Sequence, residues 1–266
     1  MVIVDDLGRK VELPQPVRSI VSLAPAISEN LFAMGASSVL VGVSTADDYP
    51  LSVQELPPVG DFGKPSYERI RSLKPDLVMV EIADIDLATI KNAERRLDIP
   101  VFVQSSKKYD DVTRHLNQLG DITGIRGKAL GTSIQKMESA KKEAARIAAG
   151  RKQLPSVFIE VSRSPLWTAG PGSFLEDLIR LAGGVNIVKS GRPFLPYSRE
   201  ALLSAQPDIY IVASNDPVRA NVKLTPPLDR IPAARSGKVI ALPADYLFRP
   251  TPRLAEGLVL LARALR

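Results

Sequence analysis

Ser66-Tyr67-Glu68-Arg69-Ile70-Arg71-Ser72-Leu73-Lys74-Pro75-Asp76-Leu77-Val78-Met79-Val80 returns 132 residues later as Ser198-Arg199-Glu200-Ala201-Leu202-Leu203-Ser204-Ala205-Gln206-Pro207-Asp208-Ile209-Tyr210-Ile211-Val212, with six of fifteen positions identical and three more exchanging Leu, Ile or Met. Both copies have the same grammar. A serine N-cap opens a short helix with glutamate at its second position, where the helix dipole favours a carboxylate. The residue before proline is expected to leave the helix for extended backbone. A run of four or five apolar residues then forms a buried strand. A repeat at nearly half the chain length predicts two similar α/β halves.

At 266 residues the chain is long enough for two lobes, and 45% hydrophobic with 24% charged residues is ordinary globular composition. No window approaches 18 uninterrupted apolar residues, so nothing is expected to span a membrane as a helix. Met1-Val2-Ile3-Val4 runs straight into Asp5-Asp6 without the features of a signal peptide. That start reads as a cytoplasmic protein, or as a mature exported one whose leader has been removed. The absence of cysteine excludes disulfides, thiolate metal sites and a cysteine nucleophile. The net charge of +6 comes from scattered basic residues with only 5% aromatics. No stacking platform or recognition helix emerges, and the charge reads as a solvated basic surface with no nucleic-acid partner.

Along the chain, residues 2–13 read as a hairpin and residues 18–23 as the first buried strand. A helix is expected from Ser28 to a stop at Gly35, then a strand over 39–43 and a polar loop over 44–58. After the first copy of the repeat come a helix over 87–97, a strand over 101–103 and a helix from about Asp110. This alternation predicts a mostly parallel sheet with helices on both faces. From about Ile125 to Ala149, Leu130, Ile134, Met137, Ala140, Ala144 and Ile147 recur at helical spacing without a proline. That is one long helix, read as a rigid connector over residues 123–150 between lobes 1–122 and 151–266. In the second lobe, a strand over 157–161 leads into a loop over 162–172. Ser173 with Glu176 makes a capping box for a helix that Gly183-Gly184 closes. A last strand over 239–242 and an amphipathic helix over 253–265 complete it.

Catalytic chemistry is scarce. The single histidine, His115, has Leu116 and Leu119 beside it and reads as structural. With no second histidine and no cysteine, a zinc site is not expected, and neither a nucleophile elbow nor a P-loop is present. Gly170-Pro171-Gly172 before a helix is a weak anion-binding signal. The chain is read as a non-enzyme without a catalytic cofactor. The aromatics are more informative. Tyr49, Phe62, Trp167, Phe194, Tyr197 and Tyr246 all fall in expected loops, several just past strand ends, where open α/β sheets bind ligands. Rings so placed suit a large, flat, partly apolar ligand.

The Ser-Tyr-Glu-Arg-Ile-x6-Asp-Leu-Val repeat, the long connecting helix and Asp47-Asp48-Tyr49-Pro50 together resemble the substrate-binding proteins of ABC importers for metal chelates, the helical-backbone periplasmic binding proteins. Gly42–Pro50, Pro193–Glu200 and Asp245–Arg253 resemble the cobalamin-binding members. The resemblance implies two Rossmann-like doubly wound lobes joined by a single long α-helix, holding a transported cobalamin or other corrinoid between them. It implies ligand contacts from Tyr49 and Phe62 in the first lobe, and from Trp167, Phe194, Tyr246, Asp245 and Arg249 in the second. Phe62 and Phe194 stand where enteric cobalamin binders carry Trp, and Ile82 stands at a further first-lobe aromatic position. Glu68 and Glu200 are implied as docking points for the dimeric membrane permease. The protein is then expected to be a monomer, periplasmic or a cell-surface lipoprotein. Haem or a ferric siderophore is the alternative ligand within the family, and an enzyme or sensory module on the same fold is the alternative outside it.

Overall fold

The computed structural model describes residues 1–61, 63–81, 86–216 and 223–266. They form two compact units, Met1–Ser106 with Asp110–Gln135, and Lys107–Tyr109 with Lys136–Arg266. The first unit opens on an antiparallel hairpin of β1 (Val2–Val4) and β2 (Lys10–Glu12). Its turn is set by Asp5, whose carboxylate accepts the amides of Leu7 and Arg9. A parallel sheet follows in the order β4 (Leu40–Gly42), β3 (Ile20–Ser22), β7 (Leu77–Glu81), β8 (Val101–Gln104), with a separate ribbon of β5 (Gly60–Asp61) and β6 (Lys64–Pro65). Helices α1 (Pro25–Ala33) and α4 (Asp111–Thr123) cover one face of the sheet, and α2 (Tyr67–Leu73) and α3 (Leu87–Leu97) the other. Helix α1 starts at Pro25, not at Ser28. Proline's fixed φ and missing N–H suit a first helical turn, and Gly35 at φ +79 ends the helix as expected.

The sheet of the second unit is mixed. Its order is β12 (Phe194–Pro196), β10 (Leu166–Ala169), β9 (Ser156–Arg163), β13 (Ile209–Ala213), β14 (Val239–Leu242), with β11 (Val185–Asn186) also pairing β9. Strands β9, β13 and β14 are parallel, while β10 runs antiparallel between β9 and β12. The expected loop over 162–172 is thus a correction: it contains β10, the return arm of a hairpin. The alternation of half-buried Leu166, exposed Trp167 and buried Thr168 spans too few residues to separate a strand from a loop in sequence. Helices α6 (Phe174–Leu181) and α10 (Leu254–Ala264) pack together on one side. On the other, α7 (Arg199–Ala205), a 3-10 turn over Leu228–Arg230 and α8 (Pro232–Arg235) close over Phe158, Tyr210 and Val212. The short α9 (Asp245–Phe248) follows β14.

The two copies of the repeat fold alike. Ser66 caps α2 by accepting the Arg69 amide, and Ser198 caps α7 by accepting the Ala201 amide. The pre-proline residues leave their helices by the left-handed region, Lys74 at φ 46 and Gln206 at φ 49, and not by the extended one. A left-handed C-cap lets the amide close on a terminal helix carbonyl, here Arg71 and Leu202. The repeated aspartates then do one job twice. Asp76 Oδ2 accepts the Ser19 amide at 2.9 Å while Ser19 Oγ accepts the Asp76 amide. Asp208 Oδ2 accepts the Ser156 amide at 2.8 Å while Ser156 Oγ accepts the Asp208 amide. Each pair registers a strand, β7 or β13, against its central neighbour, β3 or β9.

Helix α5 (Lys128–Ala148) runs 21 residues, about 31 Å, and the division between the units falls inside it, after Gln135. It buries Leu130, Ser133, Met137, Ala140, Ala144 and Ile147, with Ser133 in place of the expected Ile134. Ser133 Oγ donates to the Ala33 carbonyl, which accounts for its burial. Among the described residues, no helix is long and apolar enough to cross a membrane.

Candidate functional site

In the second unit, antiparallel pairing sets Trp167 opposite Ser162, near the carboxyl end of β9. On its other side β10 pairs with β12, Trp167 opposite Pro196 and Ala169 opposite Phe194. Residues two apart on one strand share a face, so Trp167 and Phe194 are diagonal neighbours on one surface of this strand pair. Trp167 is 36% exposed. Phe194 is half-buried and leans on Phe174, with ring centroids 6.0 Å apart and planes at 59°. That edge contact fixes the Phe194 ring. Both residues lie on strands, not on loops. Tyr197 does lie in a loop, between β12 and α7, but it packs 5.5 Å from Phe158 against the core, and its partial burial pushes its phenol pKa up.

The second cluster follows β14. Asp245 and Tyr246 lie in α9, a helical turn where a loop was expected, and Arg249 ends it. Arg249 Nε lies 3.7 Å from Asp245 Oδ1, and Arg253 Nη1 lies 3.7 Å from Asp245 Oδ2. The Asp245 amide donates to Asn215 Oδ1, just past the carboxyl end of β13. Strand ends of a parallel sheet thus hold a carboxylate, two guanidinium groups and a phenol. In the first unit, Tyr49 is 48% exposed in the loop after β4. Asp47 braces that loop by accepting the Ser44 amide and hydroxyl, and the Thr45 hydroxyl donates to Asp61. Phe62 and Ile82 lie outside the described residues. Glu68 and Glu200 are exposed at the second positions of α2 and α7.

Several polar groups missed in sequence form a buried chain in the first unit. His115 Nε2 donates to Asp6 Oδ2 at 2.7 Å, and its Nδ1 lies 3.3 Å from Ser106 Oγ. Ser106 Oγ is 2.6 Å from Glu81 Oε1. Burial pushes the Asp6 carboxyl up, but His115, Arg114 and the Ser105 amide outweigh it and hold it well below the usual carboxylate range. Glu81 goes the other way, with burial raising its pKa. Asp5-Asp6 resembles turn chemistry in sequence, and only the fold brings Asp6 to a histidine 109 positions away. The Gly170-Pro171-Gly172 anion signal is answered from within: Glu176 Oε2 accepts the Gly172 amide at 2.7 Å and Ser173 Oγ accepts the Glu176 amide. The capping box is thereby shifted by one residue, with a carboxylate already where an anion would sit.

Chemically, the strand-end groups can stack on and hydrogen-bond to a flat ligand. Among the described residues, no cluster of three His, Cys, Asp or Glu side chains could hold a metal ion. A family model described as periplasmic binding protein matches residues 20–246. The chain is 28% identical over 271 residues to the uncharacterized ABC transporter substrate-binding lipoprotein YvrC of Bacillus subtilis, covering 99% of this chain and 85% of that one. Among solved structures, it is similar to the periplasmic vitamin B12-binding protein BtuF of Vibrio cholerae, with a TM-score of 0.82 at 25% identity over 95% of this chain and 98% of that one. The apo periplasmic heme-binding protein RhuT from Roseiflexus sp. RS-1 gives 0.76 at 26% identity, covering 94% and 98%. The chain belongs to the periplasmic binding protein family and is a substrate-binding protein of an ABC transporter.

Proposed function

We propose that the transported ligand is a corrinoid, cobalamin or a close relative. The observation that carries this reading is the placing of Trp167 and Phe194 on one face of a strand pair, in the same unit as the Asp245–Tyr246–Arg249 turn. Flat apolar contact suits a macrocycle, and charged groups suit its polar side chains. Tyr49 in the first unit adds an exposed ring, and Phe62 belongs to the same set on the sequence resemblance. The ligand is bound and released, with no reaction performed on it. The B12-binding relative BtuF supports the reading. Haem is the second reading, favoured by RhuT and by the exposed Tyr49 phenol, which could ligate iron. His115 could not, since it is buried with both ring nitrogens engaged.

As a transporter's binding protein the chain works with a membrane permease. Glu68 and Glu200 are the docking pair of this reading, one exposed carboxylate per unit. One exposed ion pair contributes little, but two, one from each unit, orient the encounter. In the same reading, residues 123–150 act as a stiff connector between lobes 1–122 and 151–266, and the monomeric protein works outside the cytoplasmic membrane, free or lipid-tethered.

Trp167 is the only tryptophan of the chain, so its emission reports on the site without labelling. Titration with cyanocobalamin and cobinamide should quench it saturably, with matching heat in calorimetry. Absence of heat with both corrinoids, together with tight haemin binding and a Soret shift, would overturn the corrinoid reading in favour of haem.

A further inference from the structure

Helix α10 opens on a residue that helix electrostatics disfavours. Arg253 is its N-cap, and no side chain caps the helix there. Ser, Thr, Asp and Asn are the usual N-caps, and the positive end of the helix dipole repels a cation. The Arg253 side chain is only 15% exposed and reaches back to α9. Its Nη1 lies 3.7 Å from Asp245 Oδ2, and its Cζ lies 5.8 Å from the centroid of the Tyr246 ring. One turn along the same face of α10, Gly257 meets the same element. A Cβ on Gly257 would stand 1.8 Å from the Tyr246 carbonyl oxygen, so the glycine lets the α9 backbone lie directly on α10. Two residues four apart on one helix, a guanidinium and a missing side chain, thus both serve α9.

We propose that Arg253 is a positioning residue of the ligand site, fixing the Asp245 carboxylate and the Tyr246 ring from the rigid start of α10. This rests on the reading of α9 as part of that site. Asp245 is bracketed by Arg249 on its own turn and by Arg253 on α10. With Arg253 in place, the carboxylate is held from two directions and Arg249 cannot collapse onto it alone. The site is then preorganised before ligand arrives, which lowers the ordering cost of binding.

The test is a double-mutant cycle on corrinoid affinity with Arg253→Gln, Asp245→Asn and the pair, each checked for folding by urea unfolding. Because Arg253 acts in part through Asp245, Arg253→Gln should weaken binding about tenfold, and the double variant should lose less than the two single losses combined. Arg253→Lys, which keeps the charge, should recover part of the loss, and it carries the test if Arg253→Gln fails to fold. Unchanged affinity in Arg253→Gln, or losses that simply add, would overturn the proposal. If wild type binds haemin and not corrinoid, the ligand assignment fails, and the same cycle run on haemin decides Arg253 by the same two results. A wild type that binds neither overturns the site and the proposal together.

Discussion

Replacing Glu81 by glutamine is expected to stabilise the protein at neutral and alkaline pH. The Ser106 hydroxyl lies 2.6 Å from Glu81 Oε1 and 3.3 Å from His115 Nδ1. It has one proton and can donate along only one of these contacts. The other contact needs a proton on Glu81 or on His115, whose Nε2 proton is already given to Asp6. Among the described residues Glu81 Oε2 is buried with no hydrogen-bond partner, so ionising this carboxyl leaves charge on an unsolvated oxygen. Burial accordingly raises its pKa above the ordinary 4.5, and the opposing pull of His115 and Ser106 does not cancel the effect. The folded chain keeps this proton to higher pH than the unfolded chain. Its contribution to stability is therefore full below the ordinary value and is lost as pH rises through the raised one. The other charged groups acting on the chain are Asp6, Asp111 and Arg114.

In the glutamine variant the side-chain amide donates to Ser106, and Ser106 donates to His115. No extra proton is needed. The gain is the cost of keeping that proton or burying the bare charge, about 1.4 kcal/mol for each unit by which the folded pKa exceeds the ordinary one. Urea unfolding followed by far-ultraviolet circular dichroism, at pH steps from about 5 to about 9, measures it. The wild type should lose stability across that range, and the variant should hold level and lie above it at the alkaline end. A variant less stable than wild type at alkaline pH, with the wild-type slope intact, would refute the reasoning.

Asp6 titrates in the opposite sense. Its pKa is held low, so the stability it contributes is present above the usual carboxylate range and is lost as pH falls below that range through the lowered pKa; Asp6→Asn should flatten the acid limb of a pH series carried below that range. Replacing Glu68 and Glu200 together by alanine should abolish stimulation of the transporter's ATPase while leaving ligand affinity unchanged, and lost ligand binding would remove the docking assignment. Asp76→Ala and Asp208→Ala each open a reciprocal pair to a serine at the start of a central strand. Each should cost about 1–3 kcal/mol in urea unfolding, and the two losses should be alike because the two geometries are.

The duplication was legible because each half carries its own short-range instructions. Serine caps, a proline after the last helical turn and an apolar run act within fifteen residues, and α2–β7 and α7–β13 obey them. Helix α3 is found at the expected 87–97 for the same reason: Asp86 caps it and its apolar residues keep helical spacing. Strands β10 and β12 were not legible, because three or four residues carry too little alternation and their pairing lies 25 or more positions apart. That pairing alone makes neighbours of Trp167 and Phe194.

Sequence by itself determined two α/β halves, a long helix dividing them, and which aromatic and charged residues were worth watching. Tertiary structure alone decided that Tyr197 packs against the core, that Glu176 fills the apparent anion site, and that Arg253 and Gly257 underlie Asp245 and Tyr246. It alone joined Asp6, His115, Ser106 and Glu81 into one buried chain. Local propensity acts over a few residues and can be read along the chain. The charge and contact of a site depend on which distant residues the folded sheet sets side by side.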